Sequence, residues 1–492
     1  MHYPLGRSTL AAAVLASLAW PAAHPFAAEP AELETVTVTA TRAGSVAGET
    51  PQKITVITRE QIESQLAITT DQAQVLGNLI PSYSPSRQKL TNAGETFRGR
   101  SALVMIDGVP QSTPLRDSAR DGYTIDLSMV ERIEIIHGAS AEHGLGATGG
   151  IINYVTRRPD SGTLRQHAGI SVTAPTDYDA DGLGYKLDYR VEGRTGTWDY
   201  LAAATYQARG LFFDAKGRSI GVDDVQGDIM DSVSHDVLLK LGHWLADDQH
   251  LELTLNRFRL DGNHDYVNVP GDRSAGIPAT SRRGDPDGDA PHNDVTTAGL
   301  NYLHADLAGN ELAIQLYGQR FRARFGGGIL ATFQDAAIAP VGTLFDQSQN
   351  ESDKLGGKLT VSRDGLFGDR VKLTGGFDVL QDETRQVLAA TGREWVPTTR
   401  FRNYAPFLQA ELRPVERVKL QGGVRDEYAE LDVATFRTIA SANGVTVQGG
   451  KPSFRETLVN AGVVYQATDW GQLFASYSRA SACPTSGACC AR

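Results

Sequence analysis

The sequence predicts a mainly β chain in which a compact α+β domain precedes a transmembrane antiparallel β-barrel. Three observations carry that prediction. Between residues 164 and 478 the chain repeats segments of about ten residues with alternating apolar and polar side chains, about 13 in all, as strands between lipid and a lumen do. The connections alternate between short turns and long loops, as they do at the two ends of a bacterial barrel. Nowhere in the 492 residues is there the uninterrupted apolar run of ~18 residues that a membrane helix needs.

Composition agrees. Apolar residues make up 41% of the chain, 51 residues are glycine and the mean hydropathy is -0.27, because each spanning strand contributes a polar half. A soluble chain of this length would form roughly three domains. The formal charge of -11 weighs against a nucleic-acid partner, which needs clustered basic groups.

Residues 1–28 have the plan of a cleaved secretory signal: Arg7 in a short polar start, an apolar stretch from Leu10 to Trp20, and small residues at Ala27 and Ala28. Phe26 makes the cleavage site imperfect. Export would permit disulfides, yet residues 1–482 lack cysteine. All three cysteines, Cys483, Cys489 and Cys490, lie in the last ten residues. Their spacing fits no zinc site.

Residues 29–50 follow as a linker. Within it Glu34, Thr35, Val36, Thr37, Val38, Thr39 and Ala40 alternate like a strand with nothing beside it to pair with. Such a peptide can add to another protein's sheet edge through main-chain hydrogen bonds. Residues 44–50 are a flexible link. The α+β domain, residues 51–159, then opens with a strand at 53–58. Thr58 caps a helix at 59–65, and Asp71 caps a second that stops at Pro81. Strands follow at 102–106 and 130–136.

The barrel segments fall at 166–174, 184–192, 197–207, 235–244, 250–258, 296–306, 312–321, 354–362, 371–380, 403–412, 418–427, 458–466 and 472–478. Residues 246–249 and 414–416 are short turns, and residues 259–294, 326–353 and 432–454 are long irregular loops. Asp285-Pro-Asp-Gly-Asp289 has a calcium-loop look but lacks the later bidentate glutamate, so no metal site is expected. Gly144-x-Gly146 lacks the six-position spacing of a nucleotide loop. No nucleophile or acid–base pair stands out, so the chain reads as a non-enzyme with no catalytic residues.

Four pieces between Pro51 and Pro159 resemble, in family order, the plug of TonB-dependent outer-membrane siderophore receptors. They are Phe97-Arg-Gly-Arg100, Val104-Met-Ile-Asp-Gly-Val-Pro-Gln-Ser112, Val130-Glu-Arg-Ile-Glu-Ile-Ile136 and Gly144-Leu-Gly-Ala-Thr-Gly-Gly-Ile-Ile-Asn153. Asp107-Gly108 suits a tight turn, and Pro110 is expected to stop the strand from resuming at once. The glycines at 144, 146, 149 and 150 suit a backbone packed closely against its surroundings.

The resemblance implies a plug domain followed by a barrel of about 22 strands. It places the protein in the outer membrane of a Gram-negative bacterium, as a monomer among lipid and lipopolysaccharide. Its partner is TonB with the inner-membrane energising complex, engaged through Glu34–Ala40 as the TonB box. Its cargo is a ferric siderophore, the iron arriving chelated, with no resident cofactor and no nucleic acid. Haem or cobalamin as cargo, or a non-transporting surface receptor, are the alternatives. Arg98, Arg100, Glu131, Arg132 and Glu134 stand where relatives form plug–barrel ion pairs. Tyr83, Arg87, Gln88, Gln111, Arg116 and Arg120 flank the apical turns and are the candidate ligand contacts. His137 and His143 replace the usual arginine and tyrosine. A histidine titrating near its ordinary value of about 6.5 at position 137 would make plug docking pH-sensitive.

After the last barrel segment, relatives tend to carry Gly-Phe-Ser-Leu-Pro-Asp-Ile-Gly-Arg-Val-Leu-Arg. Residues 479–492 read otherwise. One legal codon set for residues 479–491, read two bases on, spells that missing segment. The expectation is therefore an aberrant, frameshifted tail and a barrel truncated at about 13 strands, which would leave open edges that a bilayer does not tolerate. Such a chain would be inactive as written.

Overall fold

A computed structural model describes residues 37–38, 45–46, 50–112, 120–138, 143–144, 146–159, 162, 164–468 and 471–480. The signal segment, residues 34–36 and 39–40 of the box, Arg116 and residues 481–492 with their three cysteines lie outside the described residues. Thr37–Val38 (β1) pairs antiparallel with Ser45–Val46 (β2). This corrects the expectation that the box has nothing beside it: the flexible link folds back and supplies the partner strand.

The plug is a five-stranded sheet with two helices. Its elements are Ile54–Ile57 (β3), Arg59–Leu66 (α1), Gln72–Leu79 (α2), Leu103–Ile106 (β4), Val109–Pro110 (β5), Val130–His137 (β6) and Gly150–Thr156 (β7). The strand order is β3-β6-β7-β4-β5. Helix α1 starts where expected because Thr58 and Gln61 form a capping box. Helix α2 starts where the Asp71 carboxylate accepts from the Ala73 amide. Both turn apolar side chains inward: Ile62, Val75 and Leu76 join Ile133, Ile135 and Phe97 in one buried cluster, each worth about 1.5–3 kcal/mol of burial.

One plug expectation needs correction, and one plug strand went unpredicted. Pro110 does not delay the strand, since Ile106 pairs with Val109 and Met105 with Pro110. Strand β5 is a sheet edge, where a missing amide proton costs no ladder bond. The glycine-rich piece from Gly144 ends in β7, a strand buried along its whole length, whose apolar run hid behind its glycines.

The barrel segments form one 13-stranded antiparallel sheet. Its strands are Arg165–Thr173 (β8), Gly184–Thr195 (β9), Trp198–Arg209 (β10), Ser232–Ala246 (β11) and Gln249–Gly262 (β12). Beyond a loop hairpin, Tyr266–Val269 (β13) with Thr280–Arg283 (β14), come His292–His304 (β15), Glu311–Gly328 (β16), Asp346–Gly365 (β17), Val371–Leu388 (β18), Arg393–Val415 (β19) and Val418–Val433 (β20). A second small hairpin, Phe436–Arg437 (β21) with Thr446–Val447 (β22), precedes Ser453–Thr468 (β23) and Gly471–Ser478 (β24). All 13 predicted segments fall on these strands. The outermost members of the sheet are β8 and β24.

Strand length was underestimated. β19 runs for 23 residues where ten were expected, because alternation is required only across the hydrocarbon layer, and strands continue into water without it. The loops expected at 259–294, 326–353 and 432–454 shrink accordingly, and two of them hold the small hairpins.

The alternation is physical. Leu239, Leu241, Leu253 and Leu255 face outward and are 40–45% exposed, whereas Leu238 and Lys240 between them are buried. On β10, Trp198 near the short turn and Tyr206 near the loop end both face outward. Eight residues at barrel tilt span roughly 20 Å, close to the height of an outer-membrane apolar band. Trp198 stacks on His243 at 4.1 Å, and Tyr206 sits 5.9 Å from Tyr185, so each level carries its own aromatic pair.

Candidate functional site

The plug packs against the inner face of the sheet through shared apolar clusters, in which Leu201 and Leu238 of the wall join the plug core and Phe258 and Val295 meet Leu90 and Tyr123, and through groups of polar contacts. The first is the hairpin between β4 and β5. Asp107 and Gly108 both have positive φ, +47° and +77°, the geometry of a two-residue hairpin turn. Wall side chains hold this turn by its own backbone. Gln315 donates to the Asp107 carbonyl at 3.0 Å, and Lys358 to the Gly108 carbonyl at 2.5 Å. Lys354 donates to the Pro110 and Gln111 carbonyls at 3.0 and 3.1 Å.

The Asp107 side chain is a second hub within the turn. It accepts the Thr156 amide at 2.9 Å and the Thr156 hydroxyl at 2.5 Å, and lies 3.5 Å from the buried ammonium of Lys240. Burial pushes its pKa up, but Lys240, Arg158 and Thr156 together outweigh burial and leave it lowered.

The second group lies below α2. Lys186 of β9 reaches Asp126 at 2.5 Å, and Asp236 of β11 accepts the Asp126 amide at 2.7 Å. Burial again opposes ionisation of Asp126, yet Lys186 and Ser128 hold its pKa down to about 2. The third group is Arg120, only 2% exposed. Its guanidinium donates to Asn293 Oδ1 at 3.1 Å and to the carbonyls of Gln226 and Arg324 at 2.9 and 3.1 Å, and lies 4.2 Å over the Phe325 ring. A close approach completes the seam: a Cβ on Gly144 would overlap Glu427 and Arg425 of β20.

The candidate residues from sequence scatter across this picture. Arg98 and Arg100 are exposed. Arg132 pairs with Glu134 at 2.8 Å along one strand, and Arg157 lies 3.5 Å from Glu131; both pairs lie within the plug. The ion pairs between plug and wall include Lys186–Asp126, Lys240–Asp107 and Lys89 with Asp228 and Asp223, all residues the sequence reading passed over. A signal existed for Lys186 and Lys240, since both occupy polar positions of alternating strands and therefore face the lumen.

Among the candidate ligand contacts, Arg87 and Gln88 are exposed. Tyr83 turns inward and donates to Glu95 at 3.2 Å, beside an internal cavity of about 30 Å³ lined also by Gln72, Asn92 and Tyr154. Gln111 and Arg120 are corrections. Gln111 is 1% exposed and accepts from Gln319 of β16 at 2.8 Å, so both side chains are spent on the wall.

His137 is a further correction. It lies 2.9 Å from the Thr55 hydroxyl and packs on Phe97 at 5.2 Å. Burial, then the charges of Lys53 and Arg98, lower its pKa to about 4, so it is neutral through the range where a pH switch was expected. The folded plug then binds fewer protons than the unfolded chain below about pH 6.5, and any effect of His137 is a loss of stability as pH falls from there toward 4. The expected NMR titration of its ring has a midpoint near 4; a midpoint near the ordinary 6.5 would refute this placement.

Two family models match this chain: "TonB-dependent Receptor Plug Domain" over residues 46–151 and "TonB dependent receptor-like, beta-barrel" over residues 239–488. The rhizobactin receptor of Rhizobium meliloti (strain 1021) is 26% identical over 484 residues, covering 91% of this chain and 63% of the relative. The ferric aerobactin receptor of Klebsiella pneumoniae is 27% identical over 494 residues, covering 94% of this chain and 66% of the relative. The chain thus spans a little under two thirds of the length of these relatives. In fold it is similar to the ferric-catecholate import receptor Fiu from E. coli K12, with a TM-score of 0.64, 16% identity, and coverage of 89% of this chain and 71% of that one. With plug and barrel matched in order on one chain, this protein belongs to the TonB-dependent receptor family.

Proposed function

We propose that this chain serves energy-coupled uptake of a ferric siderophore across the outer membrane, with TonB as its periplasmic partner. The observation that supports this most is the plug hairpin at residues 107–111, clamped at the inner face of the sheet by wall side chains that donate to its own carbonyls. Hydrogen bonds to carbonyls cost little to exchange for water once displaced, so such a clamp closes the lumen yet can be pulled open. TonB would engage residues 34–40 by strand addition, which requires β1 to part from β2.

The relatives named for rhizobactin and aerobactin support a siderophore of that kind as cargo. Trp395 sits near the loop end of β19, in edge contact with Phe333 at 5.6 Å, where a bound iron chelate would quench it. Titrating the full chain in detergent with ferric aerobactin, ferric rhizobactin and cyanocobalamin tests the reading. Saturable quenching by either iron chelate, and none by cyanocobalamin, is expected. Saturation by cyanocobalamin alone would overturn the siderophore assignment.

A further inference from the structure

Three separate segments of the plug meet at the cavity of about 30 Å³ beside Tyr83: Gln72 at the start of α2, Glu95 in the loop before β4, and Asp121 in the loop before β6. Each of the three is 5–6% exposed. Gln72 spends its amide nitrogen on the Ile125 carbonyl, and its Oε1 has no hydrogen-bond partner. Glu95 accepts on Oε2 from Asn92 at 2.9 Å and from Tyr83 at 3.2 Å. Its other oxygen, Oε1, is without a partner as well. The rest of the wall is largely apolar, with Leu76, Val104 and Ile152.

Charge is what makes this cavity unusual. Among the described residues that line it, none is Lys, Arg or His. Arg120, next to Asp121 in the chain, is turned to the barrel wall and held there by Asn293 and the carbonyls of Gln226 and Arg324. A carboxylate this deeply buried needs a paired charge, a metal or a proton. Water would supply hydrogen bonds to the two orphan oxygens but would leave the charge of Glu95 unanswered. A cation supplies both. The available donors are all oxygens, from carboxylates, an amide and a phenol, and such a set selects a hard ion. One water needs roughly 10–15 Å³ of such space, so the cavity takes an ion with one water. Magnesium keeps several waters in a strict octahedron, whereas calcium accepts irregular oxygen shells.

We propose that this cavity is a calcium site, in which the orphan oxygens of Glu95 and Gln72 and the carboxylate of Asp121 tie the start of α2 to the loops before β4 and β6. It rests on no part of the uptake reading. No sequence pattern marks it, because its ligands come from three distant segments, unlike the acidic run Asp285–Asp289.

The test uses the full chain in detergent, stripped with a chelator and titrated with Tb³⁺, a calcium-like probe whose luminescence is excited through a tyrosine close by; Tyr83 and Tyr154 line the cavity. A saturable signal that Ca²⁺ displaces is expected. Glu95→Gln keeps the shape and removes a charged ligand, so it should weaken Tb³⁺ affinity at least about tenfold. Asp287→Asn, in the exposed acidic run, should leave the signal unchanged. An undiminished signal in Glu95→Gln, or one lost in Asp287→Asn instead, would overturn the site. The absence of any signal that Ca²⁺ displaces would do the same, and is the result for a cavity holding water or a protonated Glu95. If Glu95→Gln does not fold, the unaltered chain decides. Its Glu95 amide donates to the Asn92 carbonyl at 2.9 Å, and saturating Ca²⁺ is expected to slow hydrogen exchange there at least about tenfold, because the ion binds only the closed plug. An unchanged exchange rate would overturn the proposal.

Discussion

Asp107→Ala is expected to loosen the plug by roughly 3–5 kcal/mol, the usual cost of removing one partner from a buried ion pair. Three groups lose their acceptor together: the Thr156 amide, the Thr156 hydroxyl and the Lys240 ammonium. Lys240 is 3% exposed, so its charge would stay buried, with Glu252 at 3.7 Å its remaining ion-pair partner among the described residues. Hydrogen exchange at the Thr156 amide is the direct readout, and unchanged protection in Asp107→Ala would refute the hub. Asp107→Asn should fall between, keeping an acceptor for Thr156 but none of the charge. The pH dependence has a definite sign. Because the folded-state pKa of Asp107 is lowered, its contribution is present above the ordinary carboxylate value near 3.9 and is lost as pH falls through the lower folded value. Acid should therefore release this hairpin, whereas mild alkali should leave it seated.

Gly150→Ala is expected to cost about 3 kcal/mol or more, enough to disrupt the plug sheet. Gly150 has φ +133°, a region that side chains rarely enter. A Cβ there would overlap the Ile136 carbonyl and approach Phe97 Cε1 at 2.7 Å. Neither neighbour can move cheaply: Ile136 is part of the β6 ladder, and Phe97 is fully buried in the core. Gly99→Ala is the control. Gly99 also has positive φ, +74°, but nothing lies within 4 Å of its Cβ position, so only the conformational cost of about 1–2 kcal/mol applies. Limited proteolysis of the plug should separate the two variants, and equal resistance would show that the close approach at Gly150 does not matter.

Much of this architecture was legible because its causes are local. Thr58 and Asp71 announce helix starts through hydrogen bonds that span only two or three residues. The 13 strands were countable because lipid on one face and a lumen on the other impose a period of two, visible in any stretch of about ten residues. The four plug pieces were legible as a group, and the two family models fall on the same parts of the chain.

What escaped depends on partners distant in the chain. Pro110 looked like a stop until its strand proved to be a sheet edge. Arg120 read as a candidate ligand contact until residues 226, 293 and 324 closed around it. His137 carried its ordinary pKa in the sequence, and only burial, with the charges of Lys53 and Arg98 added, lowered it. The sequence by itself determined the family, the α+β plug before the barrel, and the alternation that places each strand's lumen face. The tertiary structure alone decided which lumen side chains fasten the plug, because that depends on contacts such as Lys186–Asp126, 60 residues apart, and Lys358–Gly108, 250 apart. No local pattern records such pairings: they exist only once a plug of this shape sits inside this wall.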